Sequence, residues 1–377
     1  MKRNPHKYFH KPIILLVFLF FPFNNATGQK IPGGSPSFKK CWEYQSEKIL
    51  NLKYASDKGL TFVTSLPDTI QTININTGEA LWKSSLGGEI VGEIIVNKNN
   101  IIVLSEAAPN DTEEIGRVKR SLISLNPISG ITNWKTTINS TGKISLYSLE
   151  NALVSVENGI IRLINLQNGE TFHEFEIQGE ISAVYHFNTS LIFGTVEKKI
   201  VFFSIADGKF TKEIPVSEIP TRIFISDNEN VIWADKKGTT QFVNAATQKI
   251  IWKKRFGGEV SSITKTANGI LISSFDNFIY LVDIKTGKVK WRKRLSGRII
   301  DEPLAVDNIV VVFAYGDLTG LILDLRDGKV VDQIILSDAN QFIGKPIFLN
   351  NLLIFPTLKG LFAFSNRNCS ENKKTGE

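Results

Sequence analysis

The sequence predicts an all-β fold, an eight-bladed β-propeller with four-stranded antiparallel blades. One frame recurs along the chain: an apolar strand ends in Asn, Asp or Ser, a turn residue follows four positions later, and an end residue follows four positions after that. Successive turn positions are separated by 52, 39, 39, 40, 39 and 41 residues. A period near 40 residues with strand-type repeats is typical of propellers, which use one four-stranded sheet per repeat.

The frame is clearest in the segment from Phe278 to Trp291, FIYLVDIKTGKVKW, where Asp283, Gly287 and Trp291 stand four apart. An apolar run, a tight turn and an alternating run predict a β-hairpin. The turn position is a glycine in six copies, namely Gly78, Gly130, Gly169, Gly208, Gly287 and Gly328.

The last repeat lacks its final strand, and a strand near the other end of the sequence can supply it. A step of 41 residues from Gly328 reaches Cys369, but no end residue of the usual kind follows there. Near the N-terminus, Cys41-Trp42-Glu43-Tyr44 has the pattern of an outermost strand without inner strands before it. We expect this strand to complete the last sheet, which closes the ring, removes two sheet edges and gives eight blades.

The chain is predicted to have four parts. Residues 1–28 combine a basic start, a short apolar core and small residues before a cleavage site, which indicates a signal peptide; a retained anchor is the alternative. The apolar run is shorter than the roughly 20 residues of a spanning helix, so no membrane span is expected after cleavage. Residues 29–40 are predicted to be a flexible linker, 41–369 a single propeller and 370–377 a disordered tail.

The net charge changes when the leader is removed. The precursor has 44 Lys and Arg against 37 Asp and Glu, and residues 1–28 hold four basic and no acidic residues. The mature excess is therefore 40 minus 37, or +3, which argues against nucleic acid as a partner. We expect a monomer that binds protein partners in the cell envelope.

The two cysteines of the sequence, Cys41 and Cys369, are predicted to form a disulfide. In the repeat frame Cys369 takes the turn position and Cys41 immediately precedes the end residue Trp42, so the two lie across one hairpin. Disulfides persist in exported proteins. Two unpaired thiols are the alternative, because a disulfide makes specific geometric demands.

Blade two, at about 90–138, is interrupted by a long insertion between Ser105 and Arg120. Loops of this length in compact repeats often bind partners, and a mobile surface excursion is the alternative. The candidate contact residues in this loop are Glu106, Asp111, Glu113, Glu114 and Arg117.

Large aromatic residues at the end position of the frame are predicted to pack between neighbouring blades. A planar ring buries a large area, and repeated interfaces supply most of the stability of such an array. These residues are Trp42, Trp82, Trp134, Trp252 and Trp291. His173 takes the same position in blade three, so we interpret it as a substituted docking residue rather than a catalytic one.

Alignment of the innermost strands places five polar side chains at comparable positions along the central channel: Glu93, Tyr147, Arg222, Glu302 and Lys345. A hydrated, salt-bridged axis is the favoured interpretation, and a small-ligand site is the alternative. Basic runs at 252–255 and 291–294 fall on outermost strands. Such cations usually prevent edge-to-edge aggregation, although an acidic partner would also fit them.

The repeat, seen best in IYLVDIKTGKVKW and TININTGEALWK, resembles that of pyrroloquinoline-quinone-type β-propellers over essentially the whole mature chain. In blade number, size and exported character the chain is most similar to the outer-membrane-assembly propellers of the BamB family. The resemblance implies either a scaffold or a quinoprotein dehydrogenase, whose quinone often stacks on a disulfide of adjacent cysteines. No adjacent cysteines are present here, and after the leader only His173 and His186 remain as histidines.

These observations favour a non-enzymatic exported interaction scaffold, periplasmic or associated with the outer membrane, with no catalytic, cofactor-binding or metal-binding residues. Its clients are expected to add to blade edges or rim loops. One alternative is a quinone-dependent dehydrogenase, or a degenerate relative, with quinone and calcium near Glu93 or Glu302. Another is a ligand-sensing or surface-adhesion module.

Overall fold

The structure is a computed structural model of the 377-residue chain. It describes residues 37–45, 53–57, 59–65, 68–97, 99–107, 118–140, 142–227, 229–299, 301–337, 340–367 and 369, which belong to one compact unit, Ser35–Glu377. The expected signal peptide, most of the linker, most of the blade-two insertion and the expected tail lie outside these residues. All regular elements in the described ranges are strands, and these ranges contain no helix long and apolar enough to cross a membrane.

The first strand and the first four blades occupy the N-terminal half of the propeller. Strand β1 is Lys39–Gln45. Blade one contains β2 (Lys53–Asp57), β3 (Leu60–Ser65), β4 (Thr69–Asn74) and β5 (Ala80–Ser85). Blade two contains β6 (Glu89–Asn97), β7 (Asn100–Glu106), β8 (Val118–Leu125) and β9 (Thr132–Ser140). Blade three contains β10 (Ser145–Ser148), β11 (Ala152–Glu157), β12 (Ile160–Asn165) and β13 (Thr171–Glu176). Blade four contains β14 (Ile181–Phe187), β15 (Ser190–Thr195), β16 (Lys199–Ser204) and β17 (Lys209–Pro215).

The remaining blades follow in the same order. Blade five contains β18 (Pro220–Asp227), β19 (Asn230–Asp235), β20 (Thr239–Asn244) and β21 (Ile250–Arg255). Blade six contains β22 (Val260–Thr266), β23 (Gly269–Ser274), β24 (Phe278–Val282) and β25 (Val289–Arg294). Blade seven contains β26 (Leu304–Val306), β27 (Ile309–Phe313), β28 (Thr319–Asp324) and β29 (Val330–Ile335). Blade eight takes β30 (Ile347–Leu349), β31 (Leu352–Thr357) and β32 (Gly360–Ser365).

The described strands form eight four-stranded antiparallel sheets, which confirms the predicted propeller. In blades one to seven the strands run in chain order from the innermost to the outermost. Contacts between the innermost strands of successive blades include β2 with β6, β6 with β10, β14 with β18, β18 with β22, and β26 with β30. Blade eight has the order β1-β32-β31-β30, with Trp42 opposite Ala363. The N-terminal strand therefore closes the ring, as the sequence predicts.

Each pair of neighbouring blades shares its own apolar core. Blades five and six, for example, bury Ile232 and Ile272 in one cluster at 0% exposure. Trp42, Val63 and Leu352 belong to the cluster that joins blade eight to blade one, and another cluster joins it to blade seven. Fully burying an aliphatic or aromatic side chain stabilises by about 1.5–3 kcal/mol, so the cores between blades hold the ring together.

The repeat frame corresponds to a capped turn at the end of the third strand of each blade. In blade one the Asn74 side-chain oxygen accepts the N–H groups of Asn76 and Thr77, and the Gly78 N–H donates to the Asn74 carbonyl over 2.8 Å. Gly78 has φ +75°, a conformation that glycine adopts without steric cost. The turn itself therefore favours Asn or Asp at its first position and Gly four positions later.

A β-bulge immediately before the end residue recurs in all eight described blades. In blade six Leu281 faces Trp291 while Val282 faces Val289, so Lys290 has no partner on the neighbouring strand. In blade eight the residue skipped in this way is Cys41. The bulge adds one residue to the outermost strand and increases its local twist. The end residue of the frame is thus placed by the same irregularity in every blade.

Candidate functional site

The five predicted channel residues lie on the innermost segments of five different blades. Glu93, Tyr147 and Arg222 belong to β6, β10 and β18, whereas Glu302 and Lys345 directly precede β26 and β30. Sequence reasoning placed them at comparable positions but did not predict their partners. Those partners decide what the axis can do chemically.

Two of the five residues form an ion pair between blades seven and eight. The Lys345 Nζ lies 2.5 Å from the Glu302 Oε2, and the Thr264 hydroxyl of blade six donates to the Glu302 Oε1 over 2.8 Å. The side chains of Lys345 and Glu302 are 49% and 37% exposed, so water screens their attraction and the pair contributes at most about 1 kcal/mol. The arrangement joins three successive blades.

The guanidinium of Arg222 is directed at main-chain carbonyl groups. Its Nε donates to the Ser261 carbonyl over 2.8 Å and its Nη1 to the Thr221 carbonyl over 2.6 Å. The Ser261 hydroxyl in turn donates to the Ile299 carbonyl over 2.7 Å. These bonds link blades five, six and seven near the axis.

Tyr147 is the most strongly perturbed phenol of the channel. Burial raises its pKa to about 12, a hydrogen bond with Ser145 acts in the opposite direction, and the Glu93 charge raises it further. Its ring lies 5.9 Å from that of His186, whose Nε2 is buried without a hydrogen-bond partner in the described part of the chain. Since a phenol with this pKa is neutral at pH 7, Tyr147 has no tyrosinate to offer as a base or nucleophile.

Glu302 and Arg222 do not fit the calcium site that the quinoprotein resemblance implies. The Glu302 carboxylate already binds Lys345 and Thr264, and Arg222 binds carbonyl groups. Within the described ranges no three His, Cys, Asp or Glu side chains are arranged to hold a metal ion. No catalytic step through this cofactor can be derived from the arrangement.

The end-position tryptophans join each of their blades to the next one. The Trp252 Nε1 donates to the Ile284 carbonyl over 2.8 Å, and the indole ring lies against Gly287 of blade six. Trp42, Trp82, Trp134 and Trp291 make the equivalent bond at 2.8–3.0 Å and cover Gly78, Gly130, Gly169 and Gly328 respectively. Each tryptophan therefore closes one blade interface.

His173 does not take the place that the frame suggested for it. The ring that lies against Gly208 of blade four belongs to Phe175, two residues further along β13. Phe175 also packs on Phe203 with ring centroids 5.0 Å apart, whereas His173 is exposed. Because residues two apart share one face of a strand, the larger apolar ring closes this interface and His173 remains at the surface.

Cys41 and Cys369 are bonded, with Cα atoms 5.4 Å apart, as the sequence predicts. The bond ties the outermost strand of blade eight to the segment after β32 and closes a loop with a sequence separation of 328 residues.

The described residues include only the two ends of the predicted partner loop. Asp111, Glu113, Glu114 and Arg117 lie outside the described residues. Glu106, at the end of β7, forms a 3.0 Å ion pair with Arg120 of β8 at the base of the insertion. The role of this loop in partner binding stays a prediction.

A polar cleft of about 530 Å³ lies between blades two and three. Six of the nine residues that line it are Asn or Gln, and Glu150, Leu166 and the exposed ring of Phe172 complete the wall. The amides and the carboxylate are Asn97, Asn99, Asn100, Asn151, Asn165, Gln167 and Glu150. Sequence reasoning missed this cleft because its residues come from three separate turns. The repeat frame marks the turn that begins at Asn165, but it gives no indication that the three turns meet.

The outer edges of blades five and six are strongly basic. Lys253, Lys254 and Arg255 end β21, and β25 ends with the matching run from Arg292 to Arg294. Within the described part of the chain none of these six cations forms a salt bridge, and Arg292 lies over the Phe278 ring at 5.3 Å. Residues 220–299, which form the two blades, hold 15 Lys and Arg against six Asp and Glu, an excess of +9.

Comparison with known families agrees with this architecture. The family described as outer membrane protein assembly factor BamB matches residues 35–170 and 220–342, more than half of the chain. The chain belongs to the BamB family. A comparison with curated protein sequences gives no match.

Two solved structures illustrate the BamB-like fold. The crystal structure of BamB from Moraxella catarrhalis has 13% sequence identity and a TM-score of 0.64, and the match covers 87% of this chain and 99% of that one. The crystal structure of the computationally designed Ika8 protein has 17% identity and a TM-score of 0.68, with 85% and 98% covered. At these identities the two structures support the shared fold alone.

Proposed function

We propose that the protein is a non-enzymatic, exported interaction scaffold of the cell envelope that serves outer-membrane protein assembly. The observation that carries this proposal is membership of the BamB family over more than half of the chain. The name of that family refers to outer-membrane protein assembly, which supports a site of action in the periplasm or at the outer membrane.

The geometry supports a scaffold because the fold offers open strand edges. Among the described residues each outermost strand pairs with one neighbouring strand, so one edge of each blade has no strand paired to its main-chain N–H and C=O groups. An extended polypeptide can add to such an edge by strand pairing. Three of the axial polar side chains, Arg222, Glu302 and Lys345, form bonds between blades.

The proposal is tested by purifying the full chain from the cells that make it after mild chemical crosslinking. A stoichiometric envelope protein that copurifies supports the scaffold. The quinoprotein alternative is tested by calorimetric titration with pyrroloquinoline quinone plus calcium and by the absorbance spectrum of the protein as isolated. Tight calcium-dependent binding, or a bound chromophore, would overturn the scaffold in favour of an enzyme.

A ligand-binding module is the second candidate, and the amide-lined cleft favours it. Its volume of about 530 Å³ is within the range of small-ligand sites, about 300–1,000 Å³. Replacing Asn151 and Gln167 by Ala would weaken binding of a small polar ligand to this cleft, while binding of a protein to the blade edges would remain.

A further inference from the structure

We propose that the outer edges of blades five and six dock an acidic, extended polypeptide segment. The inference rests on the proposed scaffold function and specifies the chemistry of the partner. Its first support is the distribution of charge. Residues 29–377 carry a net charge of +3, blades five and six carry +9, and the rest of these residues therefore carries −6. The positive charge is concentrated on two neighbouring blades.

Protection of strand edges against aggregation does not account for the number of consecutive cations on these two strands. Charged side chains on an edge strand, Lys above all, discourage aggregation. Among the other outermost strands, β1 (KKCWEYQ) and β17 (KFTKEIP) have two Lys or Arg residues, β5 (ALWKSS) and β9 (TNWKTTINS) have one, and β13 (TFHEFE) and β29 (VVDQII) have none. β21 and β25 instead end in three consecutive cations without salt bridges in the described part of the chain. Protection of edges against aggregation does not explain so uneven a distribution.

The two edges present the same pattern to a partner. Lys253 and Arg255 are exposed on one face of β21, and the half-buried Lys254 lies on the other face beside Trp252. β25 repeats this pattern one blade further, because Trp291 occupies the position of Trp252. A strand that pairs with either edge would meet cations on both of its faces, so three consecutive acidic residues match the edge.

A polypeptide uses features of these edges that other polyanions cannot. Among the described residues β21 pairs with β20 alone and β25 with β24 alone, so in this part of the chain the outward main-chain groups of each strand are open to a further strand. Lipid phosphates and nucleic acids lack the alternating donors and acceptors that such an edge requires. Ile250 and Ile251, 50% and 44% exposed at the start of β21, offer apolar contact to a β-forming side chain.

The probe for the experiment is a fluorescent peptide with three consecutive Glu residues between Thr and Val. Its binding to the full chain is measured by fluorescence anisotropy at low and high salt. One variant replaces Lys253, Lys254 and Arg255 by Gln, and a second replaces the three cations of β25 in the same way. The matched control replaces one cation on each of three other outer strands, Lys83, Lys135 and Lys209, by Gln.

The proposal expects each triple variant to lose the site on its own edge, where several charge pairs worth about 0.2–1 kcal/mol each are removed and affinity falls about tenfold or more. The amount of peptide bound at saturation should therefore fall by half, while the edge that is left binds as it does in the wild type. The variant that combines both sets of substitutions should lose binding. The control variant loses as much charge as one triple variant but should bind like the wild type. High salt should weaken binding because it screens charges beyond a few ångströms. Unchanged thermal unfolding shows that the variants fold.

Further probes, each of which lacks one property of the acidic peptide, show whether binding needs strand pairing and negative charge. Methylation of alternate main-chain nitrogens of the peptide keeps its charge and removes strand pairing, so it should abolish binding. Equal binding of the methylated peptide, or of a peptide with Gln for Glu, would overturn the proposal. So would binding of anionic phospholipid vesicles alone, or of a second copy of the chain in preference to the peptide. If the variants still hold the copurifying envelope protein, the scaffold stands and this docking site is wrong.

Discussion

The indole ring of Trp252 lies directly against Gly287 of the next blade, where an added Cβ would approach the ring to 2.8 Å. The same contact joins Trp291 to Gly328 and Trp42 to Gly78. A glycine is required there for two reasons, the positive φ of the turn and the space that the indole occupies. This contact explains why glycine and tryptophan recur together in the repeat.

Replacement of Gly287 by Ala should destabilise the protein more than replacement of Gly87. Both glycines have positive φ, +68° and +74°, so both variants pay roughly 1–2 kcal/mol for the backbone conformation. Only at Gly287 does the new methyl meet an indole, which adds about 1–3 kcal/mol of overpacking. Chemical denaturation of the two variants measures the difference, and equal losses would show that the indole contact contributes little.

The interface between blades three and four should depend on Phe175 and not on His173. Removal of the Phe175 ring leaves Gly208 and Phe203 without their aromatic neighbour, so Phe175→Ala should cost about 2–4 kcal/mol of unfolding free energy. His173→Ala should change this free energy by less than about 0.5 kcal/mol because the imidazole is exposed. The opposite ranking in urea denaturation would restore the interpretation of His173 as the docking residue.

Reduction of the Cys41–Cys369 bond should lower the stability of the ring. A crosslink over a separation of 328 residues restricts the unfolded chain, and the chain-entropy account gives an upper value of about 6 kcal/mol. Thermal unfolding of the wild type should shift downwards in reductant. The variant with both cysteines replaced by Ser should unfold at the reduced temperature with or without reductant, and an unaffected wild type would contradict the account.

Stability should fall as pH rises from about 10 towards 12, and Tyr147 should contribute to this fall. Its folded pKa, about 12, lies above the ordinary value of 10.0, so the folded state retains the proton that the unfolded state has released. The stabilisation is complete below pH 10 and is lost as pH passes through the folded pKa. Urea denaturation at pH 9, 10 and 11 should give a smaller decline for Tyr147→Phe than for the wild type, whereas identical slopes would exclude this contribution.

Much of the fold could be predicted from the sequence because its signals are local. Asp283 and Gly287 form a turn from their own side-chain and backbone preferences, and the spacing of such turns gives the number of blades. That Phe175 and not His173 closes the interface between blades three and four could not be predicted. The frame gives the position of the end residue, but it does not tell which of two side chains on the same strand face packs against the next blade. Packing in three dimensions favoured Phe175.

The partners of the axial residues were equally inaccessible to sequence reasoning. Glu302 and Lys345 are 43 residues apart and meet only because successive blades place them side by side. The repeat predicts which positions face the axis and carries no information on which charges pair. The basic runs of β21 and β25 were visible in the sequence, but their concentration on neighbouring open edges becomes clear only once the blades are placed.

The central claim, that this propeller holds protein partners at its outer edges, is tested most directly by site-specific photo-crosslinking in the cells that make it. A photoreactive residue is placed at Lys253 or Arg292 on the basic edges and, as a matched control, at Glu93 near the axis. The account predicts a discrete protein adduct from the edge positions and none from Glu93. A protein adduct from Glu93 alone, with none from either edge, would contradict it.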